Sequence, residues 1–368
     1  MKVAIITILD NINFGTYLQA LATGFVIKSL GHDVEIIRYT RPIMTLNGYP
    51  KIILKERGFL SWLKHRNDIK KIVELRNKDF AFLSGYFPVT KEYTSFEALQ
   101  QNPPVADVYI TGSDQVWNSV YNRGVDRSYY LDFAPLGRRR VAYAASIGME
   151  NFPEQEKPLV YSLLKKYDTI TVREKTAQQI LKRMDISSDV VLDPTLLLSG
   201  KQWNEIANNP HLHLQEKYLL VYSVERRQQD ELIDYYAKII AKKKGLLIYQ
   251  VSYGGKNKRL SCADKYYGNA TPDVFLRLIH SANYVVVSSF HGTAFAINFN
   301  KQFITISANR FNSRVHNLLV MTSLQERLIN NKSIDVTSLK DIDYTVVNTE
   351  LNNQRAKSIS QINKMIKK

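Results

Sequence analysis

The sequence predicts an α/β protein built as two Rossmann-type halves. Short apolar, β-branched runs alternate with helical stretches, and that alternation starts afresh after Pro194. Length agrees: 368 residues hold about two domains of ordinary size.

Each element has its own reason. Residues 3–9 are an apolar run ended by Asp10, the mark of a buried strand. A helix is expected over 16–30, with Gly31 just past its end as a cap, and a second strand over 34–39. Strand, helix and strand in this order make a right-handed βαβ unit. Further strands are expected over 107–111, 141–146, 169–172 and 190–192, with a helix over 174–184. The second series has strands over 218–223, 245–251, 284–288 and 303–307, and helices over 229–242 and 272–281. The domains therefore read as 1–195 and 196–345, joined near 193–200, with a C-terminal helix over 346–368. Ligands of such sheets bind at the carboxyl ends of the strands, so a cleft between the halves is the expected site.

Composition excludes several classes. The chain is 45% hydrophobic and 11% aromatic, enough for packed cores, so disorder as the main state is ruled out. Cys262 is the single cysteine, which excludes an intramolecular disulfide and a Cys-rich zinc site. The N-terminal apolar run is too short for a signal peptide, and nowhere do about 18 apolar residues follow one another. A soluble, cytoplasmic protein is expected. Fifty Lys plus Arg against 34 Asp plus Glu leave a formal charge of +16, which points to a polyanionic partner. The insertion over 51–86 is the basic segment of the first half: residues 51–78 mix nine Lys or Arg with Ile, Leu, Phe and Trp. Such a stretch suits either an anionic membrane surface or a solvated helix packed on its own domain.

Several loops carry candidate chemistry. Asn13, Gly15 and Gln19 stand at the first strand-to-helix corner, where a glycine lets the backbone approach a ligand. With one glycine this is neither GxGxxG nor a Walker loop. Ser113, Asp114, Gln115, Trp117 and Asn118 follow a strand directly and combine a carboxylate, amides and an aromatic ring, a set able to hold a sugar. Arg173 ends another strand and offers paired hydrogen bonds to an anion, or an ion pair to Glu174. Ser289, His291, Gly292 and Thr293 form a corner where an imidazole, suited to proton transfer, sits beside helix-start amides. Arg310 and Arg314 are further anion ligands. His211 and His213 read as loop histidines, and no metal site is expected.

Six motifs in order, NFGTYLQ (13–19), GSDQVWN (112–118), AYAASIG (142–148), TVREK (171–175), LDPT (192–195) and SSFHGTAFA (288–296), resemble the polysaccharide pyruvyl transferase family over residues 3–325. The resemblance implies a GT-B-like fold, two Rossmann-type domains facing across a cleft. It also implies transfer of a pyruvyl group from phosphoenolpyruvate to two hydroxyls of a sugar or lipid-linked oligosaccharide acceptor, forming a cyclic ketal in cell-surface polysaccharide synthesis. Phosphoenolpyruvate is then a donor substrate, with no cofactor. The family's catalytic histidine matches His291 and a donor-binding arginine matches Arg173. Many members have an arginine two residues before the histidine; Ser289 stands there in this chain, leaving Arg310 or Arg314 to supply the charge.

On this reading His291 and Asp114 are catalytic, the first protonating the donor and the second positioning an acceptor hydroxyl. Arg173, Ser289, Gly292, Thr293, Arg310 and Arg314 bind the donor, and Asn13, Gly15, Gln19, Ser113, Gln115, Trp117 and Asn118 the acceptor. An anionic membrane surface is the expected further partner. Two alternatives stand beside it: a GT-B glycosyltransferase using a nucleotide sugar, and a noncatalytic nucleic-acid-binding protein. The second lacks any helix-turn-helix, zinc-finger or RNA-binding signature, so no nucleic-acid partner is expected.

Overall fold

The apolar run at the start of the chain forms Lys2–Ile6 (β1), in parallel register with Asp33–Ile36 (β2) on one side and Val108–Thr111 (β3) on the other. Crossover helices cover both faces of a parallel sheet, so a strand inside it reads as an unbroken apolar run. Val3–Ile6 is accordingly buried. Arg139–Ala145 (β4), Thr169–Val172 (β5) and Asp189–Val190 (β6) extend the sheet in parallel, in the order β2-β1-β3-β4-β5-β6. A computed structural model describes residues 1–10, 13–65, 67–207, 212–224, 230–253, 259–307 and 313–367.

Tyr218–Tyr222 (β7) opens the second sheet. Leu247–Val251 (β8), Lys265–Tyr267 (β9), Tyr284–Val287 (β10), Phe303–Ile306 (β11) and Leu328–Ile329 (β12) complete it in the order β12-β11-β10-β7-β8-β9, again all parallel. Renumbered from β7, this is the doubly wound order 3-2-1-4-5-6, whose switch point lies between β7 and β10. In the first sheet the order reverses between β1 and β3. Among the described residues the fold is thus α/β with two parallel six-stranded sheets.

Contacts divide the chain into two units: Met1–Ile12, Thr16–Leu197 and Ala356–Lys368 in the first, Asn13–Gly15 and Leu198–Arg355 in the second. The first unit is packed around an aromatic cluster. Trp117 stacks on Tyr130 at 5.7 Å and meets Tyr167 edge-on at 5.9 Å. A fully buried ion pair ties the carboxyl ends of β1 and β2 together. Arg41 Nη2 reaches Asp10 Oδ1 at 2.8 Å and Nε reaches Oδ2 at 2.9 Å, while the Arg41 backbone N–H also donates to Oδ2. Asn122 Oδ1 accepts the remaining edge of the guanidinium at 2.9 Å, so both charges are met by partners.

The crossover from β2 to β3 contains the basic insertion. It folds as the helices Gly48–His65 and Asp68–Ser84. The first breaks at Gly58, whose φ of 76° is left-handed. No helix among the described residues is long and apolar enough to cross a membrane. The C-terminal helix, Tyr344–Lys367, is shared: its residues to Arg355 belong to the second unit and the rest to the first. In the first unit Ile362, Met365 and Ile366 are buried, and Ser358 Oγ accepts the Leu192 N–H at 3.1 Å.

Candidate active site

In the second unit both strands at the switch point end on hydroxyls. Ser223 follows β7, Ser288 follows β10, and their Oγ atoms hydrogen bond at 2.9 Å. The backbone then turns: Ser289 is extended, and its Oγ accepts the Gly292 N–H at 2.9 Å, capping the helix Phe290–Asn298. Thr293 Oγ1 donates to the Ser289 carbonyl and pairs with Thr305 Oγ1 on β11, both at 2.9 Å. The cap and the Thr293–Thr305 pair hold His291 in the first turn of the helix, with 5% of its surface exposed.

Gly15 is what the imidazole packs against. A Cβ on Gly15 would stand 2.0 Å from His291 Nδ1 and 2.1 Å from Cγ, so only a bare backbone fits there. Asn13 Oδ1 shapes this turn by accepting the Gly15 N–H at 2.9 Å, and it also accepts the Tyr222 hydroxyl at 3.5 Å. Phe14 anchors the segment, stacking on Phe275 at 4.5 Å and meeting Tyr253 edge-on at 4.8 Å. Gly292 is also constrained, less tightly, since a Cβ would lie 2.9 Å from Ser289 Oγ and from Val287 Cγ1. Asn13, Gly15, Ser289, His291, Gly292 and Thr293 therefore gather at one corner.

Two expectations change there. The Gly292 and Thr293 amides, expected to be offered to an anion, donate within the turn, to Ser289 Oγ and to the Ser289 carbonyl. Ser289 itself is the cap. Arg314 lies on the helix Ser313–Met321, and Arg310 lies outside the described residues, as does His211; His213 is exposed.

The first unit assembles a second cluster at the β1/β3 switch point. Asp114 adopts φ 88°, a conformation that non-glycine residues rarely take. It is held there because its carbonyl accepts the Val116 and Ser146 N–H groups at 2.8 and 3.0 Å. Its carboxylate accepts the Gln115 N–H at 2.8 Å and the Thr16 hydroxyl at 3.2 Å. Strand β4 bulges before Ser146, with Ala144 also left-handed, and this turns Ser146 Oγ onto Glu174 at 2.7 Å.

Arg173, expected to hold the donor's anion, is buried among carboxylates. Its Nη1 lies 2.7 Å from Asp193 Oδ2, its Nε 3.7 Å from Glu174 and its Nη2 3.9 Å from Asp114. Burial alone would pull its pKa down, but Asp193, Glu174 and Asp114 outweigh that and raise it. An incoming phosphate or carboxylate has to compete with acids already in place.

Most of the expected sugar-holding set turns inward. Trp117 is 1% exposed: its Nε1 donates to the Tyr129 carbonyl at 3.2 Å, and no ring face is open for stacking a sugar. Asn118 donates to Gln115 Oε1 at 2.7 Å and caps the helix Ser119–Asn122. Ser113 Oγ donates to Asp193 at 3.2 Å, and the Gln19 amide donates to Thr7 Oγ1 and the Thr16 carbonyl, both at 2.9 Å. These residues build the corner. Asp114 and Gln115 are the members of this loop that keep partial exposure. Thr16 and Asp193 also belong to this cluster, and the Asp-Pro-Thr turn after β6 is the sequence signal for the second: Asp193 Oδ1 accepts the Thr195 N–H at 2.9 Å, an Asx turn.

No curated protein matches this chain in sequence. Among solved structures it is similar to the UDP-GlcNAc 2-epimerase from Methanocaldococcus jannaschii, at 14% identity and a TM-score of 0.51, with 96% of this chain and 92% of that one covered. It is also similar to a putative UDP-N-acetylglucosamine 2-epimerase from Listeria monocytogenes (9% identity, TM-score 0.49, 100% and 90% covered). A third is the glycosyltransferase AviGT4 of avilamycin A biosynthesis (10% identity, TM-score 0.49, 100% and 97% covered). At such identities the likeness concerns the fold, which is GT-B-like. The family model for polysaccharide pyruvyl transferases matches residues 13–310, a span running from Asn13 past the His291 corner. That stretch is most of the chain, and it places the protein in the polysaccharide pyruvyl transferase family.

Proposed function

We propose that this protein transfers a pyruvyl group from phosphoenolpyruvate to two hydroxyls of a sugar, closing a cyclic ketal during the synthesis of a cell-surface polysaccharide. The observation that carries this reading is His291, set at the switch point of the second sheet and held against the Gly15 backbone. An acid in a fixed position is what an enol phosphate needs, because its methylene carbon must be protonated before C2 becomes electrophilic.

Protonated His291 gives its proton to the methylene carbon, and the first sugar hydroxyl adds its oxygen to C2. The proton of that hydroxyl restores the imidazolium. The C2–O bond to phosphate then breaks, the second hydroxyl adds to C2, and its proton leaves with the phosphate. Asp114 is the proposed group that positions an acceptor hydroxyl. The donor's two anionic groups call for cations; Arg310 and Arg314, both close after β11 in sequence, are the candidates in the second unit. Phosphoenolpyruvate would be drawn from the cytoplasm.

The test is phosphate release from phosphoenolpyruvate in the presence of glycan precursors, with ketal formation followed by mass spectrometry. His291→Ala is expected to lose both signals while keeping its circular dichroism spectrum. Wild-type phosphate release by that variant would remove the histidine from the mechanism. A thermal-shift panel addresses the donor, since a ligand at about 100 times its Kd stabilises the folded chain by about 2.7 kcal/mol. Stabilisation by phosphoenolpyruvate is expected; stabilisation by nucleotide sugars alone would move the reading to glycosyl transfer.

A further inference from the structure

We propose that the helix Gly48–His65 docks on an anionic phospholipid surface, through an apolar tip formed where the helix breaks at Gly58. This goes beyond the proposed reaction and stands on different residues. Ile53 is buried and anchors the helix to its unit, while residues 54–60 are all exposed. Phe59 is 62% and Leu60 82% exposed, Leu54 and Leu63 of the same helix are exposed too, and Phe59 stacks on Trp62 at 5.4 Å. Soluble surfaces scatter large apolar side chains singly; here four lie within ten consecutive residues.

Charge identifies the occupant. Lys51, Lys55, Arg57 and Lys64 are exposed along the same helix, and its one acid, Glu56, is engaged by Arg123, with Nη2 to Oε2 at 2.9 Å. The surface thus presents apolar side chains among cations whose local acid is already paired. A second copy of the chain would bring like charge against like charge across a two-fold contact. Nucleic acid would answer the cations and leave Leu60 and Leu63 in water. A bilayer rich in acidic lipid answers both, taking the apolar tip at the acyl boundary and the cations at the headgroups.

The chain carries its own reporter. Of its three tryptophans, Trp117 and Trp203 are fully buried, so a fluorescence shift on adding vesicles reports on Trp62. The full chain should sediment with vesicles of phosphatidylcholine and phosphatidylglycerol but not with phosphatidylcholine alone, with a blue shift in emission. Replacing Lys51 and Lys55 by Gln should weaken binding about fivefold per charge. The double change Phe59→Ser, Leu60→Ser should abolish the blue shift while leaving Tm, and phosphate release in the presence of a soluble acceptor, unchanged. Equal binding to both vesicle types, binding indifferent to these substitutions, or a patch that instead drives concentration-dependent self-association would each overturn the proposal. Because phosphate release is read separately, failure here leaves the reaction untouched, and failure of the reaction leaves vesicle binding to stand.

Discussion

At the scale of single residues, the missing side chain of Gly15 is the constraint that bears on His291. Adding one methyl group there forces the His291 ring to swing away, because its Nδ1 and Cγ would lie about 2 Å from the new carbon. Gly15→Ala is therefore expected to lower turnover roughly 100-fold, as misplacement of a reacting group by about 1 Å does, with the circular dichroism spectrum retained. Wild-type turnover would show that the ring has room to yield. The sequence marked Gly15 and His291 separately, each from its place at a strand-to-helix corner, but their contact joins residues 276 positions apart and leaves no local trace. Trp117 shows the opposite limit. An aromatic ring just after a strand suits a sugar platform and a core anchor equally well, and Tyr130 and Tyr167 decide for the core.

Among the elements, the Asp10–Arg41 pair has the clearest energetic consequence. Asp10→Ala leaves a buried guanidinium without its carboxylate, and a loss of about 3–5 kcal/mol is expected from urea midpoints. Replacing both partners together, Asp10→Leu with Arg41→Met, should cost less than the single change, since no charge is then stranded. Equal costs would mean that the pair acts through something other than charge compensation. Most long elements were legible: the helix Pro272–Ser281 matches its expected bounds, and the first strand of each half stood out as an apolar run. Strand β1 stops at Ile6 rather than residue 9, because Ile8 and Leu9 are buried in the loop beyond it and hydrophobicity does not separate loop from ladder. The edge strands β9 and β12, three and two residues long, are too short for any periodicity to register.

For the molecule as a whole, one buried acid sets a pH dependence of stability. Asp79, on the helix Asp68–Ser84, is 2% exposed, and burial pushes its carboxyl up to about 8 against the opposing pull of Lys78. The unfolded chain releases this proton near pH 4. Between those values only the folded state holds it, so stability falls as pH rises from about 4 to 8 and levels off above. Asp79→Asn should flatten that slope, and the Tm advantage of the variant over wild type should grow from pH 5 to pH 8. An advantage that does not change with pH would show that Asp79 is ionised when folded. Parallel sheets were legible from the alternation of strands and helices, whereas strand order was not, since right-handed crossovers alone admit several orders. The split of the chain between the units has a consequence for its synthesis. The first unit needs residues 356–367, whose Ile362, Met365 and Ile366 fill its interior, and these are translated after the whole of the second unit. Domains commonly fold in the order in which they leave the ribosome; here the unit begun first is completed last. Its nascent sheet must wait with an uncovered apolar face, the interval in which a chaperone would find it.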